Sequence, residues 1–143
     1  MKKILLVDDD DYKTTNIKNV LKERYDCAII VENALNPGLR RLQKEDFDLI
    51  LLDMSMPTFQ ISESQNFNSF GGIDFLKEMK RKRNGTDVII VTQYEIFGEG
   101  PSKKTFEMID QECKEAFENY KGIVIFSSTD SFWKEELFDV IGE

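Results

Sequence analysis

Five short apolar runs recur along the chain, and each predicts a buried β-strand. A strand covered on both faces of a parallel sheet shows a continuous apolar run instead of an alternating one. The predicted strands cover residues 2–7, 27–31, 49–52, 88–91 and 123–126.

Apolar residues recur every three or four positions between these runs, and this period predicts five helices. Their expected starts carry capping residues or glycine: Asp10 or Asp11, Asn36 followed by Pro37, Gly72, Ser102, and the segment 127–130. The expected inward-facing residues are Ile17, Val20, Leu21, Leu39, Leu42, Ile73, Leu76, Met79, Phe106, Ile109, Cys113, Phe117, Tyr120, Trp133, Leu137 and Ile141. Gly122 is expected to end the fourth helix, and Phe132 and Phe138 to lie on the outer side of the fifth.

Strands that alternate with helices predict an α/β fold with a doubly wound parallel sheet, because parallel neighbours need helical crossovers. The chain has 143 residues, which is the usual length of one domain. We therefore expect residues 1–143 to form a single domain.

Polar residues capable of binding phosphate or a metal ion follow three of the predicted strands. Asp8–Asp11 follow the first strand, Asp53 follows the third, and Thr92 follows the fourth. The carboxyl ends of parallel strands meet at one edge of an open α/β sheet, which is where such sheets bind ligands. Crowded carboxylates repel one another unless a cation offsets them, so the pattern predicts a metal site. Oxygen ligands suit Mg²⁺ best, with Mn²⁺ or Ca²⁺ as alternatives.

The composition excludes several classes of function. The net charge of −8 argues against a nucleic-acid surface, and no apolar run approaches the ~20 residues of a membrane span. We therefore expect a cytoplasmic protein with no nucleic-acid or membrane partner. The chain contains no histidine, which excludes Ser–His and Cys–His nucleophile pairs and a histidine proton shuttle within this chain. Cys27 and Cys113 lack metal-ligand spacing and are interpreted as small apolar residues.

Four segments together resemble the receiver domain of two-component response regulators, and the resemblance covers essentially the whole chain. They are Ile4–Asp10 with its acidic end, Asp48–Pro57 with the pattern Asp-x-x-Met-Pro, Gly72–Leu76, and Val88–Thr92. The acidic pair combined with the Asp-x-x-Met-Pro segment is the specific part of this pattern. The resemblance implies a flavodoxin-like (βα)5 fold with strand order 2-1-3-4-5.

The resemblance also implies roles for individual residues. Asp53 would be the phosphoacceptor, taking its phosphoryl group from a partner histidine kinase or phosphotransfer protein. Asp9 and Asp53 would bind Mg²⁺ directly, Asp8 through water, and Ser55 through its backbone carbonyl. Thr92 would bind a phosphate oxygen and couple phosphorylation to a change of conformation. Such a domain is not an enzyme, and its output would run through contacts with another protein or through a homodimer.

Two departures from the receiver pattern stand out. The lysine expected at the end of the fifth strand is absent, and Phe126-Ser127-Ser128 stands there instead. Hydroxyls of Ser127 or Ser128, or the ammonium groups of Lys103 or Lys104, are candidate substitutes. Residues 58–70 form an insertion whose aromatic residues Phe59, Phe67 and Phe70 suggest a loop for docking a partner, with a structureless insertion as the alternative.

Two rival functions are compatible with the sequence. The missing lysine favours a receiver-shaped interaction module that no longer switches. The spacing Asp8-x-Asp10 resembles the nucleophile and acid of Mg²⁺-dependent phosphohydrolases of the haloacid dehalogenase class, although Tyr12 and the lack of a later acidic pair oppose it. The cognate kinase and the output partner are not encoded in any recognisable motif.

Overall fold

The computed structural model describes residues 2–57 and 67–142. For Phe67 and Asn68 it describes the backbone alone. In chain order the described strands are β1 (Lys2–Val7), β2 (Cys27–Glu32), β3 (Leu49–Leu52), β4 (Met56–Pro57), β5 (Phe67–Asn68), β6 (Asp87–Thr92), β7 (Ile96–Phe97), β8 (Lys104–Thr105) and β9 (Tyr120–Ile125). The helices are α1 (Asp11–Arg24), α2 (Leu35–Lys44), α3 (Gly71–Arg81), α4 (Phe106–Ala116) and α5 (Phe132–Ile141).

Five parallel strands form the central sheet in the order β2-β1-β3-β6-β9. Counting these five strands alone, the order is 2-1-3-4-5, so the predicted doubly wound topology is confirmed. The remaining strands are two-residue antiparallel pairs, β4 with β5 and β7 with β8. No helix in the described residues has the length and apolar composition to cross a membrane.

Each face of the sheet carries its own apolar cluster, because successive side chains of a strand point to opposite faces. In β1, Leu5 and Val7 belong to one cluster, while Ile4 and Leu6 belong to the other. Helices α2, α3 and α4 cover the first face, and α1 and α5 cover the second. The central strands are thus buried on both sides, which explains their continuous apolar sequence.

Several predicted helix boundaries are wrong. Helix α2 begins at Leu35 with Ala34 at the N-cap, so Pro37 lies in the first turn, where a missing N–H costs no hydrogen bond. Helix α4 is capped by the Thr105 hydroxyl and not by Ser102, because residues 104–105 first pair with β7. Gly122 lies inside β9 and does not end α4.

Helix α3 begins at Gly71, one residue before the predicted Gly72. On α5, Phe132 is 75% exposed, as predicted. The prediction for Phe138 is wrong: its ring packs edge-on against Tyr25, at 5.9 Å between centroids, and beneath the Arg24 guanidinium. A contact from the end of α1 therefore partly buries a side chain that the helical period alone places outside.

Candidate functional site

Two carboxylates meet where β1 and β3 end, because these strands are adjacent and in register. Val7 pairs with Leu52, so Asp8 and Asp53 follow neighbouring positions. The Asp53 N–H donates to the Val7 carbonyl at 2.9 Å, which continues the strand pairing by one residue. Together with Asp9, they offer carboxylate oxygens that all lie within 4.8 Å of one another. The structure thus brings together the three acids that the sequence pattern singled out.

The two inner carboxylates are buried and held by backbone hydrogen bonds. Asp8 is fully buried, and its Oδ1 accepts from the Asp10 N–H at 2.9 Å. Asp53 is 5% exposed, and its Oδ1 accepts from the Met54 N–H at 2.9 Å. Asp9 is exposed at the mouth of the pair. This arrangement leaves one carboxylate at the surface and two beneath it.

A lysine that the sequence analysis did not single out lies between the buried carboxylates. The Lys13 Nζ is 2.7 Å from Asp8 Oδ2 and 3.2 Å from Asp53 Oδ1, and its side chain is completely buried. Neither Lys13 Nζ nor Asp8 Oδ2 has a partner with the angles of a hydrogen bond, so the contact is mainly coulombic. The signal in the sequence was its spacing, because Lys13 lies four residues before Ile17 and eight before Leu21 on the inward stripe of α1.

Burial dominates the electrostatics of this cluster. The pKa of Asp53 is raised to about 7, chiefly by desolvation and also by the Asp8 charge, against the lowering effect of the Lys13 charge. The pKa of Asp8 is also raised by burial, again opposed by Lys13. At Asp9, partial desolvation and then the Asp8 charge raise the pKa. The charged form of all three acids is therefore disfavoured, and a further cation would stabilise it.

The cluster is consistent with a Mg²⁺ site. When ionised, three carboxylates facing one ammonium would leave an excess of two negative charges, which a divalent cation would neutralise. The donors are oxygen atoms, as Mg²⁺ prefers, and Asp9 at the surface gives the ion an entry side. The residues present therefore fit the ion that the acidic pattern predicts.

The model of the response regulator receiver domain matches residues 4–99, which is more than half of the chain. This protein belongs to the response regulator receiver family. Receiver domains act in two-component signalling and are in general signalling modules without enzymatic activity. The acidic cluster at Asp8, Asp9 and Asp53 is of the kind that forms the phosphorylation site in this family.

Two curated relatives span nearly the whole receiver chain. It is 32% identical over 148 residues to the Detocs response regulatory protein DtcB of Enterobacter cloacae, and the match covers 99% of each chain. It is 28% identical over 138 residues to the uncharacterized protein y4jR of Sinorhizobium fredii, with 92% of this chain and 91% of the relative covered.

Solved structures share the fold. A response regulator receiver domain protein from Clostridium thermocellum matches with a TM-score of 0.66 at 22% identity, covering 99% of this chain and 91% of that one. The response regulator protein TrrA from Thermotoga maritima, solved in complex with Mg²⁺ and BeF, matches with a TM-score of 0.62 at 21% identity. That match covers 98% of this chain and 99% of TrrA.

The loop after Asp53 is pinned against the start of α3. The Gly72 N–H donates to the Met54 carbonyl at 2.9 Å, and a Cβ at Gly72 would lie 3.0 Å from the Asp53 carbonyl oxygen. A side chain there would push the loop away, so glycine is required by close approach. Ser55 is buried, and its hydroxyl donates to the Ser69 carbonyl at 3.0 Å. These contacts set the path of the backbone next to the acidic cluster.

Thr92 is the last residue of β6 and is completely buried at the same sheet edge as Asp53. Its Oγ1 accepts a long hydrogen bond of 3.4 Å from the Tyr94 N–H. Its carbonyl accepts from the Phe126 N–H at 2.7 Å, which ties the end of β6 to the end of β9. A change in the hydrogen bonding of the Thr92 hydroxyl would therefore alter its contact with the backbone of Tyr94.

The candidate substitutes for the missing lysine are engaged elsewhere or exposed. The Ser127 hydroxyl bonds locally to Thr129, at 3.0 Å to its hydroxyl and 3.1 Å to its N–H, and Ser128 is exposed. The Lys104 Nζ pairs with Glu112 at 2.9 Å, and Lys103 is exposed. A role for Ser127 or Ser128 in binding phosphate stays a prediction.

The aromatic residues of the insertion are described in part. Phe59 lies outside the described residues, and Phe67 contributes its backbone to β5. Phe70 is half-buried against the core cluster, with the Lys104 ammonium 5.9 Å from its ring centroid. A partner-docking role for these three residues stays a prediction.

Proposed function

We propose that this receiver accepts a phosphoryl group on Asp53 from a phosphohistidine of a partner histidine kinase or phosphotransfer protein. The observation that carries the proposal is the gathering of Asp8, Asp9 and Asp53 within 4.8 Å at the carboxyl edge of the sheet. The chain contains no histidine, so the donor imidazole must be supplied in trans.

The chemistry is a transfer between two nucleophiles. A carboxylate oxygen of Asp53 forms a bond to phosphorus, and the phosphorus–nitrogen bond of the donor breaks. The electron pair of that bond returns to the imidazole, which takes up a proton to become neutral. The product on this chain is an acyl phosphate, in which the charge of the Asp53 carboxylate has been replaced by the two negative charges of the phosphoryl group.

Mg²⁺ is the cofactor of this proposal, with Mn²⁺ as an alternative. Asp9 and Asp53, the Ser55 carbonyl, and Asp8 through water would hold the ion. When bound, the ion supplies positive charge next to the transferring phosphoryl group. The Mg²⁺ and BeF bound to TrrA support this assignment, since that protein has the same fold.

The Thr92 hydroxyl is proposed to take a phosphate oxygen as its hydrogen-bond partner. The Thr92 Oγ1 accepts only a long and therefore weak bond from the Tyr94 N–H, so the hydroxyl can donate its proton to a phosphate oxygen, and any rotation that this needs costs little. Tyr94 is half exposed and would carry the change to the surface. Output would then pass through contacts with another protein, from a domain that spans residues 1–143.

A receiver-shaped module that no longer switches is the second candidate. The observation in its favour is the end of β9, where Ser127 and Ser128 follow Phe126 and offer no charge. The phosphohydrolase alternative has less support, because Asp10, the acid it would use, caps α1 by accepting the Lys13 N–H at 3.1 Å.

The test is incubation with acetyl phosphate and Mg²⁺, followed by intact-mass analysis. We expect a mass gain of one phosphoryl group on the wild type and on Asp46→Asn, a matched change of an exposed aspartate. Asp53→Asn should show no gain. An unmodified wild type, or an equal adduct on Asp53→Asn, would exclude Asp53 as phosphoacceptor and favour the non-switching module.

A further inference from the structure

Lys13 is an unusual feature of the acidic cluster, because burying an ammonium completely costs free energy unless its charge is paired. Its Nζ contacts Asp8 at 2.7 Å and Asp53 at 3.2 Å, on oxygen atoms of both inner carboxylates. These contacts lack hydrogen-bond angles, so the ammonium retains donors that point at no ideal acceptor. An ammonium held mainly by charge can turn from one of these carboxylates to a further anionic group in the same cluster.

The backbone fixes the position of Lys13 independently of its charge. The Asp10 side chain caps α1 by accepting the Lys13 N–H, and Ile17 and Leu21 anchor the same helix face in the core. The lysine therefore reaches the cluster from the first turns of a rigid helix. A cation held by a scaffold can stabilise developing charge without reorganising.

The charge balance changes when Asp53 becomes an acyl phosphate. The carboxylate charge that Lys13 now faces is removed, and two negative charges appear on the phosphoryl oxygens bonded to the same side chain. Among the described residues, Lys13 is the cation that forms an ion pair with Asp53. Lys104, by contrast, is paired with Glu112.

We propose that Lys13 is the phosphoryl-binding cation of this receiver, reaching the site from α1 instead of from the end of the last strand. The inference rests on the proposed function of Asp53. Lys13 acts in two ways. It faces the Asp53 carboxylate before transfer, and it pairs with a phosphoryl oxygen after transfer.

The same position makes Lys13 a competitor of the metal ion. Its ammonium lies among the carboxylates that would hold Mg²⁺, so like charges would repel. Removing the ammonium should therefore tighten Mg²⁺ binding and weaken binding of the phosphoryl group. A merely structural lysine would not shift the two affinities in opposite directions.

The test compares the wild type with Lys13→Met, which keeps an unbranched side chain but removes the charge. Lys22→Met, at an exposed position of α1, is the matched control. Mg²⁺ binding is measured by calorimetry, and beryllofluoride binding is then measured at saturating Mg²⁺. We expect Lys13→Met to bind Mg²⁺ several-fold more tightly and beryllofluoride at least about tenfold more weakly. Lys22→Met should match the wild type in both.

A second readout uses the wild type alone and stays decisive if Lys13→Met fails to fold. The buried ammonium is protected from solvent, so its ¹⁵N signal can be followed by NMR. We expect this signal to shift when beryllofluoride is added to the Mg²⁺-bound protein. An unchanged signal overturns the role of Lys13, as does beryllofluoride affinity in Lys13→Met equal to that of the wild type.

The two proposals fail in different ways. If the wild type binds Mg²⁺ but no beryllofluoride and gains no phosphoryl group, the proposed function of Asp53 is wrong. If the wild type binds both and Lys13→Met loses affinity for both, Lys13 is a structural residue and this inference alone is wrong.

Discussion

Two bridges of similar geometry, each a helix cation between two carboxylates, have opposite electrostatic consequences. Lys13 on α1 lies 2.7 Å from Asp8 and 3.2 Å from Asp53, and Arg41 on α2 lies 2.7 Å from Glu32 and 3.0 Å from Glu45. The Lys13 side chain is completely buried, whereas the Arg41 side chain is 37% exposed. The nitrogen–oxygen distances in the two bridges are alike, and the bridges differ in whether water reaches the cation.

The carboxylates of the exposed and the buried bridge have pKa shifts of opposite direction. At Glu45, hydrogen bonds from Lys3 and then from Arg41 lower the pKa, because the partners outweigh a small desolvation effect. At Asp8 and Asp53, desolvation outweighs the Lys13 charge and the pKa rises. The surface bridge is therefore satisfied as it stands, while the buried bridge still favours a further cation. This difference makes the buried bridge the candidate for a functional site.

The largest expected effect is on stability, when each bridge loses its cation. Lys13→Met leaves Asp8 and Asp53 buried without their partner, so the free energy of unfolding in EDTA should fall by about 3–5 kcal/mol. Arg41→Met, the matched change in the exposed bridge, should cost far less. Urea denaturation at neutral pH measures both. Equal losses would show that burial does not distinguish the two bridges.

The next expected effect is stabilisation of the folded protein by Mg²⁺, which should bind at the buried bridge and not at the exposed one. At a free concentration 100 times its Kd, the ion should stabilise the wild type by about 2.7 kcal/mol. Asp9→Asn should reduce this gain, and Asp46→Asn should retain it in full. Thermal unfolding with Mg²⁺ and with EDTA gives the values, and a gain that survives in Asp9→Asn would place the ion elsewhere.

A pH-dependent effect should appear in Asp53→Asn without metal. Because the folded pKa of Asp53 is raised to about 7, its contribution to stability is full below the unfolded pKa and is lost as pH rises through 7. Asparagine does not titrate, so the variant should gain stability relative to the wild type between pH 4 and 8. Chemical denaturation across this range tests the sign, and a difference that is flat with pH would contradict it.

The smallest effect concerns salt. The Arg41 bridge is exposed, so ions screen it, and the difference between the wild type and Arg41→Met should vanish at high ionic strength. The difference between the wild type and Lys13→Met should persist under the same conditions. Urea titrations with and without 1 M NaCl compare the two, and a salt-sensitive Lys13 effect would mean that water reaches the bridge.

The sheet and the acidic cluster could be predicted from the sequence, because both depend on which residues follow one another along the chain. Apolar runs determine which segments are strands, and the residues that follow these runs must lie at the carboxyl edge. The first residues of the helices were harder to predict. Ser102 and Thr105 are equally good caps, and the β7–β8 pairing selects Thr105.

The amino-acid sequence by itself determined the doubly wound sheet, the receiver family, and the meeting of Asp8, Asp9 and Asp53. The tertiary structure decided the place of Lys13. The spacing within α1 places Lys13 on the inward stripe, but a lysine near a helix start is ordinarily solvated and nothing within α1 reveals its partners. Asp53 lies forty residues further along the chain, and the pairing of β3 with β1 brings it to Lys13, sealed from water. That contact is long-range, so local pattern carries no information about it.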